Sequence, residues 1–238
     1  LKKSQVILGV PGNWKNRTEL LQAVSSKNAG YLMAGFVLLN TKKDIDFQVE
    51  VSEHDPSLKE AFYDSEIVDK NLINKIEQHT FIVNLIADVN GLEGIKEAID
   101  ACSALLNAGG LAVKVETAGL IYSKEEWFQL FRNQEPFPIY SHFVILTEEE
   151  ELYFSCGMKA FGLPDVAIPS SIPAEEAAEL LNNFNLYNII EEPNFKDGEI
   201  FDFELTSQSF VVKQIEDVRY TEDDVFFNPF GLLNLIPV

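Results

Sequence analysis

The chain has 238 residues, with 18 Lys+Arg against 38 Asp+Glu and a formal net charge of −20. A field of that sign repels phosphate backbones and anionic membrane surfaces, so it argues against nucleic-acid and membrane partners and favours basic ones. Hydrophobic residues make up 46% of the chain, enough for a sizeable core in one large domain or two small ones.

Two cysteines, Cys102 and Cys156, are too few for a disulfide framework. Cys102 continues an apolar helical stripe with Ile95, Ile99 and Leu106 and reads as a small core residue. No apolar run approaches the ~18 residues of a membrane span, and Val6-Ile7-Leu8 is too short for a signal-peptide core. These features point to the cytoplasm, although a first residue of Leu leaves a trimmed leader open.

In chain order, Val6 to Val10 reads as a strand ended by Pro11-Gly12. Asn16 and Glu19 then stand three apart, as in a capping box, before a helix carrying Leu20, Leu21 and Val24. Tyr31 to Leu39 reads as one apolar strand, and Phe47, Val49 and Val51 alternate as in a strand with one buried face. Asp55-Pro56 predicts a helix start, followed by Leu58, Phe62, Ile67, Leu72 and Ile76, with a break near Ser65. His79 to Ala87 is the next strand. The order β-α-β-β-α-β is the ferredoxin-like one.

A helix over 92–107 follows, closed by Gly109-Gly110. The order then starts again. Leu111 to Val115 reads as a strand, and Ser123-Lys124-Glu125-Glu126 is a capping box before Trp127, Leu130 and Phe131. Ile139 to Leu146 and Leu152 to Met158 read as a hairpin, Pro173 to Asn188 as a helix, and Ile200 to Leu205 as the closing strand. A shift of 107 positions carries Val6 onto Val113, Phe36 onto Phe143 and Phe47 onto Phe154. The expected fold is therefore α+β: two tandem ferredoxin-like (βαββαβ) units, 1–90 and 111–238, joined by a helix at 91–110. A C-terminal extension follows the second unit, and its apolar tail around Phe226-Phe227 should dock on the sheet or between the units.

No residue pattern carries catalysis. The run Glu148-Glu149-Glu150-Glu151 offers oxygen ligands of the kind Ca²⁺ or Mg²⁺ takes, but contiguous carboxylates in a turn splay apart and read rather as a solvated hairpin tip. Glu216-Asp217 with Glu222-Asp223-Asp224 is a second cluster whose halves could meet across a turn. His54, His79 and His142 are dispersed and lack metal-ligand spacing. A Cys156–His142 pairing across a hairpin is conceivable, but no cationic neighbour in sequence activates the thiol. The glycines match neither phosphate-binding pattern. Neither a cofactor nor a metal is called for.

Gly157 and Gly162 predict bends around Met158-Lys159-Ala160-Phe161, and Leu163-Pro164 is held extended. Phe161-Gly162-Leu163-Pro164-Asp165, Lys196-Asp197-Gly198-Glu199 and Asn228-Pro229-Phe230-Gly231 together resemble a bacterial domain family of uncharacterised function, found at the C-termini of acidic α+β proteins. The resemblance covers about 143–235. The stretches from Ala104 to Val113 and from Ser123 to Trp127 are similar to the region that often precedes that domain. It implies no substrate and transfers no catalytic residue.

Charge, clustered carboxylates and missing chemistry together predict a non-enzymatic interaction protein that masks a basic protein partner, as immunity or inhibitor proteins do. Its contact residues would be Glu148, Glu149, Glu150, Glu151, Glu216, Asp217, Glu222, Asp223 and Asp224. The alternative is a small-molecule sensor or hydrolase with a site between the two units, where Glu116 or Asp165 would supply acid–base groups.

Overall fold

The computed structural model describes residues 4–28, 30–63, 70–89, 91–149, 151–203 and 208–238. The predicted break near Ser65, Ile67 and the end of the 200–205 strand lie outside them. Contacts divide the chain into two compact units, Gln5–Val89 with Glu93–Gln134, and Glu135–Val238 with Ser4, Gly91 and Leu92.

In the first unit, Val6, Leu8 and Val10 alternate along β1 (Gln5–Gly12) and are fully buried. Asn16 caps α1 (Arg17–Lys27): its side-chain oxygen accepts the Glu19 amide at 3.0 Å, as the spacing predicts. The run from Tyr31 is two strands rather than one, β2 (Tyr31–Ala34) and β3 (Val37–Asn40). Gly35 takes φ +59°, and that left-handed turn folds the run back on itself. β4 (Ile45–Glu53) buries Phe47 and Val49 as their alternation requires. Then come α2 (Leu58–Tyr63), α3 (Lys70–Glu77), β5 (Phe81–Asp88) and the long α4 (Gly91–Asn107). β6 (Ala112–Val115), β7 (Leu120–Ser123) and α5 (Lys124–Arg132) complete the unit, and the Ser123–Glu126 capping box forms in both directions.

These strands make a seven-stranded sheet in the order β2-β3-β4-β5-β1-β6-β7, antiparallel throughout. This differs from the expected arrangement in two ways. A ferredoxin-like unit sets its first strand between its third and last; here β5 lies between β4 and β1. Ala112–Val115, expected to open a second unit, instead pairs with β1 through Leu8–Val115 and Gly9–Lys114. An apolar strand that follows a helix can return to the same sheet as readily as it can begin another. Leu58, Phe62 and Ile76 pack with Ile82, Ala112 and Ile121 on one face. Near β1's other face the end of α4 comes so close that a Cβ on Gly110 would meet Val10.

The second unit opens with α6 (Pro136–Phe143), a helix where a strand was expected from Ile139. Pro136 and Pro138 sit in its first turn, where a fixed φ suits the helix and the missing N–H groups are not needed. Ile139, Tyr140 and Phe143 are its buried positions. β8 (Ile145–Glu149) and β9 (Leu152–Cys156) form the predicted hairpin, shortened at its start. A single 3₁₀ turn, Met158–Phe161, is bracketed by Gly157 (φ +120°) and Gly162 (φ +76°). β10 (Asp165–Pro169), α7 (Ala174–Glu191), β11 (Glu199–Asp202), β12 (Ser209–Ile215) and β13 (Leu232–Pro237) follow.

The second sheet runs β11-β12-β13-β10-β9-β8, with β10 and β13 parallel. The apolar tail around Phe226-Phe227 docks on this sheet as expected, with Phe226 packed against Phe154, Cys156, Ala167 and Leu232, and the residues after it form β13, a central strand. Phe184 of α7, fully buried among Val166, Ile168, Phe210 and Leu235, anchors one face, and burying a side chain of that kind stabilises by ~1.5–3 kcal/mol. The 107-residue shift carries α1 onto α5 and β4 onto β9, but it also carries β2 onto α6 and β5 onto α7. Two repeated sheets do not result.

Candidate functional site

Period-two geometry places Glu149, Phe154, Cys156, Asp165 and Ala167 on the face of the second sheet opposite α7. The segment 216–231, between β12 and β13, crosses that face. Its Tyr220 and Phe226, 5.7 Å apart between ring centres, pack with Leu152 against Phe154, Cys156, Ala167 and Leu232. Burial raises the Tyr220 hydroxyl, and the Glu149 carboxylate is among the charges that add to it.

Tyr220, two residues before Glu222, packs against the same cluster as Leu152, the cross-strand partner of Glu149, so one end of each predicted acidic run borders this face. Glu148, Glu149 and Glu151 are exposed at the hairpin tip, and Glu150 lies outside the described residues. Glu216, Glu222, Asp223 and Asp224 are exposed on the 216–231 segment. Asp217 is not on the surface with them, being only 4% exposed.

What holds Asp217 inside is Arg219, a residue that spacing alone did not single out. Its Nε and Nη2 donate to the two oxygens of Asp217 at 2.8 Å each, and Nη2 also reaches Asp165 Oδ2 at 3.2 Å. The guanidinium lies over the Phe154 ring, 4.1 Å from its centre. Asp165 has no exposed surface and accepts the Gly157 and Met158 amides at 3.2 and 3.0 Å. Burial pushes its carboxyl up to about 6, against the pull of Arg219 and the Met158 amide. Lys159 turns inward and donates to the carbonyls of Val225 and Phe227. Asn228 donates to the Leu163 carbonyl at 3.1 Å and accepts the Phe230 amide at 2.9 Å.

Chemically this centre is a fastening. Arg219 has committed Nε, Nη2 and one face to its own chain, while its Nη1 is buried without a hydrogen-bond partner. Burial, with Asp165 next, pushes the Cys156 thiol up to about 12, far from a thiolate at neutral pH. The one sequence signal for it is that Arg219 is the lone cation from Glu216 to Asp224.

The first unit carries a polar row on the sheet face that also bears Ile82 and Ala112, two residues along those strands from the α2–α3 cluster. Glu50, Asn84, Gly9 and Lys114 are successive cross-strand partners on β4, β5, β1 and β6, so they face the same way. Lys114 pairs with Glu116 at 2.6 Å. A Cβ on Gly9 would stand 2.9 Å from Glu116 Oε1 and 3.2 Å from Asn84 Oδ1, so glycine leaves room for both side chains over β1. Glu116 thus spends its charge on Lys114.

The histidines stay apart from these groups. His79 is 2% exposed, accepts the Asp55 amide at Nε2 and meets the Ile76 carbonyl at Nδ1; burial lowers its pKa. The His54 ring lies against it, tilted by 39°, with ring centres 4.5 Å apart. His142 lies on α6 with Nδ1 at the Pro138 carbonyl, 2.7 Å away. Among the described residues no three His, Cys, Asp or Glu are grouped to hold a metal, and no helix is long and apolar enough to cross a membrane.

The sheet face, the Arg219 centre and the acidic segment share one further property. Residues 154–226 match a family described as a domain of unknown function (DUF4261). The match runs from Phe154, beneath Arg219, to Phe226, on the acidic segment, and includes Lys159, Asp165, Asp217 and Arg219. It lies within the stretch 143–235 marked by the sequence resemblance and brings no activity with it. Neither curated proteins nor solved structures gave a match to the chain.

Proposed function

We propose that this chain is a non-enzymatic interaction protein whose acidic surface receives a basic protein. It would mask that partner in the manner of immunity or inhibitor proteins in a bacterial cytoplasm. The observation that carries this reading is that one end of each acidic run borders the sheet face on which Tyr220 packs. Glu148, Glu149 and Glu151 project from the hairpin, and Glu216, Glu222, Asp223 and Asp224 from the neighbouring segment. Exposed carboxylates gathered on one unit of a chain with net charge −20 attract a cationic surface and speed its encounter. The Arg219 centre supports the same reading, because its charges are already neutralised internally and it serves to hold the segment in place.

The test is capture from source cells by the tagged full chain. A parallel capture uses a chain carrying Glu148→Gln, Glu149→Gln, Glu151→Gln, Glu222→Gln, Asp223→Asn and Asp224→Asn. The proposal expects a basic protein held by the first and lost from the second, with retention falling steeply from about 50 mM to about 500 mM salt as screening shortens. Capture that is indifferent to both salt and neutralisation, or that recovers no basic protein, would overturn it.

A further inference from the structure

Ile215 and Leu232 are direct partners in the β12–β13 ladder, so the two ends of the intervening segment are already side by side. A two-residue turn would join them. The chain instead spends sixteen residues, 216–231, without a helix or strand among them. A loop of this length with paired ends is an Ω-loop, and such loops move without disturbing the ladder that bears them.

What holds this loop down is largely charge and hydrogen bonding. Tyr220 and Phe226 supply the apolar contacts on Phe154, Cys156, Ala167 and Leu232. Against those two rings stand Arg219 on Asp165 and on the loop's own Asp217, Lys159 on the carbonyls of Val225 and Phe227, and Asn228 on the Leu163 carbonyl. The fastenings sit at both ends and in the middle, while Glu222, Asp223 and Asp224 ride exposed between them. Beneath lies Cys156, 2% exposed.

We infer that residues 216–231 form a charge-latched lid over the face that carries Cys156, closed by Arg219 and Lys159, and that opening it moves the Glu222–Asp224 run away from the hairpin tip. The lid would then regulate the acidic surface proposed above. Its purpose rests on that reading, but its movement does not. An open lid exposes Phe154, Leu232 and the Cys156 thiol while the β12–β13 ladder stays paired.

The two cysteines make the movement measurable without any partner, so failure of the lid and failure of the interaction reading are separable. Cys102 is fully buried on α4 and serves as the reference. The full chain is treated with a small maleimide under native conditions, and each cysteine is followed by peptide mass spectrometry. Cys156 should label at least tenfold faster than Cys102 in the unaltered chain. Arg219→Met, and separately Lys159→Met, should raise the Cys156 rate by a further tenfold and leave Cys102 unchanged. Equal rates at the two cysteines in the unaltered chain and in both variants would overturn the lid. Hydrogen exchange on the unaltered chain guards against variants that fail to fold: amides of 217–230 should exchange at least tenfold faster than those of β10 and β13. Exchange of the segment together with those strands would also overturn the proposal.

Discussion

Arg219 and Asp217 stand two residues apart and are joined by two hydrogen bonds of 2.8 Å from Nε and Nη2, a side-on pairing of guanidinium and carboxylate. Asp217 has a buried side chain, and so has Asp165, which shares the same guanidinium. Removing the cation strands two carboxylates in the interior. Arg219→Met should therefore destabilise the second unit by about 3–5 kcal/mol, read as a lower midpoint in urea. Asp217→Asn should lose a comparable amount, since it leaves the guanidinium facing an amide.

The Asp165 carboxyl gives this unit a signature in pH. Burial pushes it up to about 6 from an ordinary 3.8. A carboxyl raised in the fold binds its proton more tightly there than in the unfolded chain. Its contribution to stability is therefore complete below the ordinary value and is lost as pH rises through the raised one. Lowering pH from about 7.5 to about 4.5 should add stability through this residue, even though acid weakens its attraction to Arg219. The groups that bear on it are Arg219 and Asp217 from the 216–231 segment, Cys156 from β9, Lys159 from the 3₁₀ turn and Tyr140 from α6. The urea midpoint of the natural chain should rise relative to that of Asp165→Asn as pH falls across that range. Parallel profiles would show that Asp165 titrates at its ordinary value.

Two glycines with positive φ should respond very differently to alanine. At Gly157, φ is +120° and a Cβ would stand 2.1 Å from the Phe143 carbonyl oxygen, which is backbone and cannot step aside cheaply. Gly157→Ala should destabilise by about 3 kcal/mol or more. At Gly35, φ is +59° and nothing lies within 4 Å, so only the left-handed penalty of about 1 kcal/mol remains. Thermal melts of the two variants should separate clearly.

The capping box at Ser123 offers a smaller, local test. Ser123 accepts the Glu126 amide while Glu126 accepts the Ser123 amide at 2.7 Å. Ser123→Ala should lower stability by about 1 kcal/mol, visible as a modest fall in melting temperature.

Features written in neighbouring residues were legible in the sequence. The caps at Asn16 and Ser123, the alternation through Phe47 and Val49, and the bends at Gly157 and Gly162 all depend on residues within a few positions of one another. Partnership between strands does not. Nothing local in Ala112–Val115 says that it pairs with β1 about a hundred residues earlier, and nothing in the order of elements says that β5 lies between β4 and β1. Ile139 to Leu146 has the apolar, β-branched look of a strand, yet the prolines at 136 and 138 suit the first turn of a helix that takes in Ile139 to Phe143. The site divides along the same line. The exposed carboxylates are contiguous and were visible. Arg219 draws its meaning from Phe154 and Asp165, more than fifty residues away, and an isolated arginine has no spacing to read.

The position of β13 bears on how the second sheet is made. It is the last strand in sequence, yet it stands between β12 and β10, where it joins the β8-β9-β10 strands to the β11–β12 hairpin. As a ribosome delivers the chain, those two pieces emerge first and neither has its neighbour. The sheet can close only when Leu232 to Pro237 threads between them, and its parallel pairing with β10 spans a long loop of sequence, which makes for a slow closing step. A nascent chain halted before Leu232 would present two raw strand edges to its surroundings, the kind of surface that chaperones recognise.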